Sequence, residues 1–172
     1  LKEKVDQNFY KTPLKKCKKI YSGKDITIVT MSNMTVEMKK IVKFLKTKKI
    51  NCELIDLRTV SPIDYKTIVL SVKKTGRLLI VDTSHKTLSI SSQISSFVSE
   101  NIFEFLKIGP QIIGLPDYPV PTSHSLTKHY YPNSIKIINK ILKMINRKIN
   151  IDYKLFENKV HDKPGEWFTG AF

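Results

Sequence analysis

Apolar and polar positions in this chain follow two alternating periods, one of strands and one of helices. Residues Ile26 to Met31 form a β-branched, apolar run that predicts a buried strand opening a sheet. Met38, Ile41, Val42 and Leu45 then recur at helical spacing, predicting an amphipathic helix over 34–48 with Asn33 or Thr35 as its cap. Asn51 to Ile55 reads as a second strand. Ser61, Pro62 and Asp64 offer an N-cap, a first-turn proline and an acidic third position for the next helix. Its expected buried stripe is Tyr65, Ile68, Val69 and Val72, and Lys73, Lys74 and a left-handed Gly76 mark its end. Leu78 to Val81 is a short continuous apolar run, the pattern of a central parallel strand covered on both faces, with Asp82 at its carboxyl end. Ile90, Ile94, Phe97, Val98 and Phe105 predict a helix over about 89–106. Gln111 to Gly114 predicts another strand, and Ile135, Ile138, Leu142 and Ile145 predict a last helix after Pro132-Asn133-Ser134. Strand and helix in alternation imply an α/β domain, with helices packed on a mainly parallel sheet.

The ends depart from this order. Residues 1–23 carry Lys11, Lys15, Lys16, Lys18 and Lys19 and read as a linker with room for one short strand. Residues 24–147 hold the periodic core, and 148–172 form a tail closing on Pro164-Gly165-Glu166-Trp167-Phe168 and Phe172. Trp167, Phe168 and Phe172 are too apolar for an idle tail, so the segment is expected to dock on its own domain or on a partner. The 172 residues suffice for one domain with a hydrophobic core. The chain opens at Leu1 without a secretory pattern and reads as a fragment or processed product. No apolar run approaches the ~18 residues of a membrane span. Cys17 and Cys52 are too few for a disulfide framework. A cytoplasmic setting, or an organelle matrix, is expected, with Cys52 a buried structural thiol.

Thirty Lys and Arg against fifteen Asp and Glu give a formal charge of +15, which raises the question of polyanion binding. Arg occurs only at 58, 77 and 147, although base readout and bidentate phosphate recognition favour Arg. Lys39, Lys40, Lys43, Lys46, Lys48 and Lys49 surround one apolar stripe, as a solvated helix face does. Nucleic acid is therefore not the expected partner.

Catalytic signatures are missing. With six glycines, the chain carries no dinucleotide fingerprint, phosphate-binding loop or nucleophile elbow. Asp82, Ser84 and His85 have the residue types of a hydrolase triad, but neighbours in one loop rarely align nucleophile, base and carboxylate. His85, just beyond a strand's carboxyl end, is the best candidate for a site-facing imidazole, against the plainer reading of an exposed loop histidine. His124 and His129 lack the i, i+4 spacing and third ligand of a zinc site, so no metal is expected. Asp117-Tyr118-Pro119-Val120-Pro121 is a rigid loop, suited either to presenting one shape or simply to packing between strand and helix.

Taken together, Cys52 to Asp64 and Thr75 to Asp82 resemble the C-terminal domain of transketolase-like thiamine enzymes, specifically the β subunit of 2-oxo acid dehydrogenases of the pyruvate and branched-chain type. The resemblance runs over about residues 13–146 and includes Pro13-Leu14, Gly23 to Met31, Asp117 to Pro121 and the last helix. It implies a three-layer fold whose mostly parallel sheet carries one antiparallel strand. It also implies that Phe9 to Leu14 leave a preceding pyrimidine-binding domain, and that Pro164 to Phe168 resemble the tails of some members. In that family thiamine diphosphate and magnesium are held outside this domain and the reacting residues lie elsewhere, so no catalytic, cofactor or metal residue carries over. What carries over is assembly with an α subunit, a second β subunit and, in the family, the subunit-binding domain of a lipoyl acyltransferase. His85, Asp117, Pro119, Pro121, Trp167 and Phe172, with its carboxylate, are the interface or loop candidates. The sequence departs from the family where Asp82 is followed by Thr83 and by a turn with neither the usual glycines nor a glutamate, and where Lys15 replaces a glycine. Other readings are a free-standing interaction module of the same fold, a polyanion-binding protein, or the tail of another thiamine enzyme such as a transketolase or deoxyxylulose phosphate synthase.

Overall fold

A computed structural model describes residues 9–127, 129–152 and 156. Strands β1 (Lys18–Tyr21), β2 (Ile26–Thr30), β3 (Cys52–Asp56), β4 (Leu78–His85) and β5 (Gln111–Leu115) form one sheet in the order β1-β3-β2-β4-β5. β2 pairs in parallel with both β3 and β4, and β4 pairs in parallel with β5. β1 alone is antiparallel, with Lys19 opposite Ile55. The sheet thus begins inside the segment read as linker. Helices α1 (Ser32–Thr47), α2 (Tyr65–Thr75), α3 (Ile90–Ile102), α4 (His124–Thr127) and α5 (Ser134–Met144) complete the described elements.

Alternation along the strands divides the core in two. Ile26, Ile28, Cys52, Leu54, Leu79 and Val81 face a cluster completed by α1 and α5. Val29, Ile55, Leu78 and Ile80 face the other way, against Ile68 and Val72 of α2 and Ile94, Val98 and Ile102 of α3. β2 and the first four residues of β4 are buried throughout, as strands covered on both faces must be. This is the expected three-layer architecture with one antiparallel strand.

The differences lie at element ends. α1 begins at Ser32 behind Met31, which makes no side-chain cap; Thr35 instead bonds Thr30 inside the core at 2.9 Å, so neither Asn33 nor Thr35 caps. α2 begins not at Ser61 but after Asp64, whose carboxylate accepts from the Thr67 amide at 3.2 Å and hydroxyl at 2.7 Å. The same carboxylate accepts from the Cys17 amide at 3.1 Å, tying the N-terminal segment to the helix start; the Ser61–Pro62 peptide is cis. Gly76 ends α2 at φ 70°, as its left-handed reading requires. β4 does not stop at Asp82. Its pairing with β5 shifts register after Val81 and resumes at His85 opposite Leu115, because the Asp82 carboxylate turns back to the Thr83 amide at 2.7 Å. α3 gives way at Phe103 to a short 3₁₀ turn, where Phe103 and Phe105 reach solvent and leave Ile102 as the last buried side chain. The expected docking of Trp167 and Phe172 concerns positions outside the described residues.

Val81 lies fully buried in a strand paired on both sides. Replacing it by Asp places an unpartnered charge there, at a cost beyond about 4 kcal/mol, so Val81→Asp is expected to abolish cooperative thermal unfolding followed by circular dichroism. A normal melting transition would refute the placement of β4.

Candidate functional site

The carboxyl end of the sheet gathers the loops in which open α/β folds place ligands. Here the three members of the triad-like run part company. Asp82 is buried and accepts from the Thr83 amide, the Ser84 hydroxyl and the Ser91 hydroxyl, the last at 3.1 Å. His85, exposed at the end of β4, uses Nδ1 on the Pro116 carbonyl at 2.7 Å, in the tautomer that carries a proton there. Ser84 therefore faces a carboxylate with no imidazole between them, and nucleophilic activation of the triad kind is not assembled.

His85 is instead half of a clamp. Beside it, the Asp117 carboxylate accepts from both the amide and the hydroxyl of Thr87, the amide at 3.3 Å. The Thr87 hydroxyl and amide hold Asp117 below the usual carboxylate range, and His85 and Lys86 act in the same direction. The loop after β5 is thus pinned to the loop after β4 at two successive residues, Pro116 and Asp117. Pro119 stands exposed beyond the clamp and Pro121 is half-buried. The structure brings His85 and Asp117 together and leaves the prolines as the rim they stiffen.

Among the described residues, no group of three or more His, Cys, Asp or Glu side chains is placed to hold a metal ion. Burial pushes the Cys17 thiol up to about 11, with Asp64 adding to the effect, and burial pushes Cys52 to about 12. Both are held as thiols, unsuited to nucleophilic work. The three arginines serve the fold. Arg77 donates to the carbonyls of Met144 at 2.9 Å and Asp25 at 3.3 Å, Arg147 donates to Lys49 at 3.0 Å, and Arg58 pairs with Asp56 at 3.6 Å.

At the opposite, amino end of the sheet lies a group that sequence reading passed over. Glu53 is fully buried in β3, where alternation points it toward α2. Its carboxylate accepts from Ser71 Oγ at 2.6 Å, the Gly23 amide at 3.2 Å and Ser22 Oγ at 3.4 Å, and it pairs with Lys74 and, at 2.9 Å, with Lys19. Burial alone would raise its pKa, but hydrogen bonds from Lys74, Ser71, Lys19 and Gly23 bring it from 4.5 down to about 2. Thr27 extends the polar seam with bonds of 2.8 Å to both Ser71 and Thr75. The signal was an acidic residue within an apolar strand, with Ser and Lys three apart on the following helix.

These features define a mixed-sheet α/β domain with a clamped loop edge. The chain belongs to the transketolase C-terminal domain family, described as "Transketolase, C-terminal domain", and the match runs over residues 15–137. More particularly, it is 34% identical over 140 residues to the pyruvate dehydrogenase E1 component subunit beta of Rickettsia bellii, covering 81% of this chain and 43% of that one. The subunit of the same name from Mesostigma viride is 35% identical over 149 residues, covering 87% of this chain and 46% of the relative. The subunit beta of the acetoin:2,6-dichlorophenolindophenol oxidoreductase of Cupriavidus necator is 34% identical over 137 residues, with coverage of 80% and 40%. The chain therefore spans less than half the length of these relatives. Among solved structures, a split-gene transketolase in an inactive beta4 tetramer superposes with a TM-score of 0.67 at 21% identity, over 81% of this chain and 45% of that one, which shows the shared fold.

The sign of the pH dependence follows from Glu53. Its folded pKa is depressed, so its contribution to stability is complete above about 4.5 and is lost as pH falls toward about 2. Denaturant midpoints should fall across that window and flatten in Glu53→Gln. Glu53→Ala should cost about 2–4 kcal/mol near neutral pH, toward the lower end because both lysines reach water, and a change below about 1 kcal/mol would deny the seam its role.

Proposed function

We propose that this chain is the C-terminal assembly domain of the β subunit of a thiamine-dependent 2-oxo acid dehydrogenase, without catalytic activity of its own. The observation that carries this reading is the 34% identity to a pyruvate dehydrogenase β subunit over 81% of the chain. The arrangement of the candidate residues supports it. Asp82, Ser84 and His85 do not form a catalytic line, and both cysteines are protonated thiols.

These residues do not fit a thiamine diphosphate and magnesium site. In this reading the cofactor, which supplies the decarboxylating chemistry, is held by the α subunit and the preceding pyrimidine-binding domain. The partners are an α subunit and a second β subunit, with a lipoyl acyltransferase as a further candidate. Exposed apolar side chains support a docked state: Phe9 is 90% and Leu14 82% exposed in the entry segment, and Leu88 lies fully exposed above the His85–Asp117 clamp. The positive charge of the chain disfavours a basic acyltransferase domain as partner, since like charges across an interface repel.

The test is to isolate the native protein from its source cells with the chains that accompany it. A mass well above 19.9 kDa together with a dehydrogenase α subunit is expected, whereas a native mass near 19.9 kDa without such a companion would overturn the reading. In that assembly His85→Ala should leave turnover within about a few-fold of the unsubstituted enzyme, because the imidazole holds a carbonyl rather than a reacting atom. Loss by orders of magnitude would place the clamp in the catalytic path.

A further inference from the structure

A cleft of about 340 Å³ opens beside β5, the strand that ends the sheet on the side away from β1. It is separate from the Glu53 seam and adjoins the clamp, whose Pro116 lines it. Lys86 lines it from the loop after β4, and Lys136 and Lys140 line it from successive turns of α5. Among the described residues no carboxylate lines it, and none of the three lysines has a salt-bridge partner. Asp117, between the lining residues Pro116 and Tyr118, is engaged by Thr87 and also interacts electrostatically with Lys86.

Two of these cations are positioned. Lys136 donates to the His129 carbonyl at 2.9 Å and Lys140 to Gln111 Oε1 at 3.2 Å, so both ammonium groups are held at the cleft. Lys136 is exposed at the cleft, and partial desolvation lowers its pKa. Part of the wall is aromatic. Tyr130 is 2% exposed and donates its hydroxyl to the Tyr118 carbonyl at 3.0 Å. Its ring meets Tyr118 edge-on at 5.4 Å and Tyr131 at 5.1 Å. The clamp between His85 and Pro116 steadies the loop that carries Tyr118.

Lysine serves phosphate groups well as a compact point charge, and tyrosine faces accept flat rings. The volume lies within the range of small-molecule sites. We propose that this cleft binds an organic phosphate of the nucleotide class, its phosphates against Lys86, Lys136 and Lys140 and its planar ring against Tyr118 and Tyr131. This is a small-ligand site and not a nucleic-acid track, because all three arginines are committed within the fold. It stands independently of the assembly role proposed above.

The test is calorimetric titration of the full chain, in the assembly it forms natively, with ADP, adenosine and pyrophosphate at about 0.15 M salt. Saturable one-to-one ADP binding below about 1 mM is expected, with adenosine and pyrophosphate each at least about tenfold weaker. The double substitution Lys86→Gln, Lys136→Gln should weaken ADP by about tenfold or more with unchanged melting, and Tyr131→Leu should weaken ADP while sparing pyrophosphate. No saturable ADP binding up to about 10 mM would overturn the proposal. So would affinity indifferent to the lysines, pyrophosphate equal to ADP, or tighter binding of a hexaglutamate peptide, which would make the cleft a seat for an acidic strand on β5.

Discussion

A buried carboxylate organises the amino end of this domain. Glu53 has no exposed surface, yet it remains ionised because donors reach it from the β1–β2 connection, from β1 and from α2 at once. Each donor fixes one relation. Lys19 holds the lone antiparallel strand against β3, and Ser71 with Lys74 fixes α2 along its axis over the sheet. Gly23 permits the approach, since a Cβ at that position would lie 2.3 Å from the Asn51 carbonyl oxygen. A hydrophobic side chain at 53 would pack against any sliding arrangement of α2, whereas a carboxylate accepts only the one that satisfies its oxygens. Thr27, bonded to Ser71 and Thr75, continues the same restraint onto β2. The two apolar clusters then fill around a frame whose register is set by polar contacts.

How much of this was legible depends on range along the chain. The interiors of the parallel strands and of α2 and α5 were readable, because burial on both faces or along one stripe writes itself into local periodicity. Element ends were not, because a competing partner decides them. Asp64 displaces Ser61 as the cap by serving Thr67 and Cys17 together, and Cys17 lies 47 residues away in sequence. Asp82 bends β4 through its neighbours' donors and lets pairing resume at His85. Of the candidate site, the rigidity of Asp117 to Pro121 was readable from its prolines. The clamp that uses it was not, since Thr87 and His85 meet that loop about thirty residues away.

The same distinction separates the two ends of the sheet. At the amino end polar groups are buried and mutually satisfied, and no buried side-chain polar atom among the described residues is left without a partner. At the carboxyl end, beyond the buried Asp82, the hydrogen bonds of His85 and Asp117 join loops that remain exposed, and they leave His85, Pro119 and Leu88 facing outward. One end spends its polar groups on internal register and the other on presenting a surface of fixed shape. Such a surface suits contact with another protein more than bond-making at a reactive group.

The excess of lysine over acid is large for the whole chain, but it is not one undivided field. Lys19 and Lys74 neutralise Glu53, the arginines close helix ends and turns, and on α1 Lys40 pairs with Glu37. What distinguishes Lys86, Lys136 and Lys140 is therefore that all three line one cleft whose lining holds no carboxylate among the described residues, next to an edge strand and an aromatic wall. A net charge of +15 spread over solvated faces raises encounter rates with any anion, yet selects none. Selection requires cations held at fixed positions beside a surface of definite shape, and in the described structure the β5 cleft meets that condition.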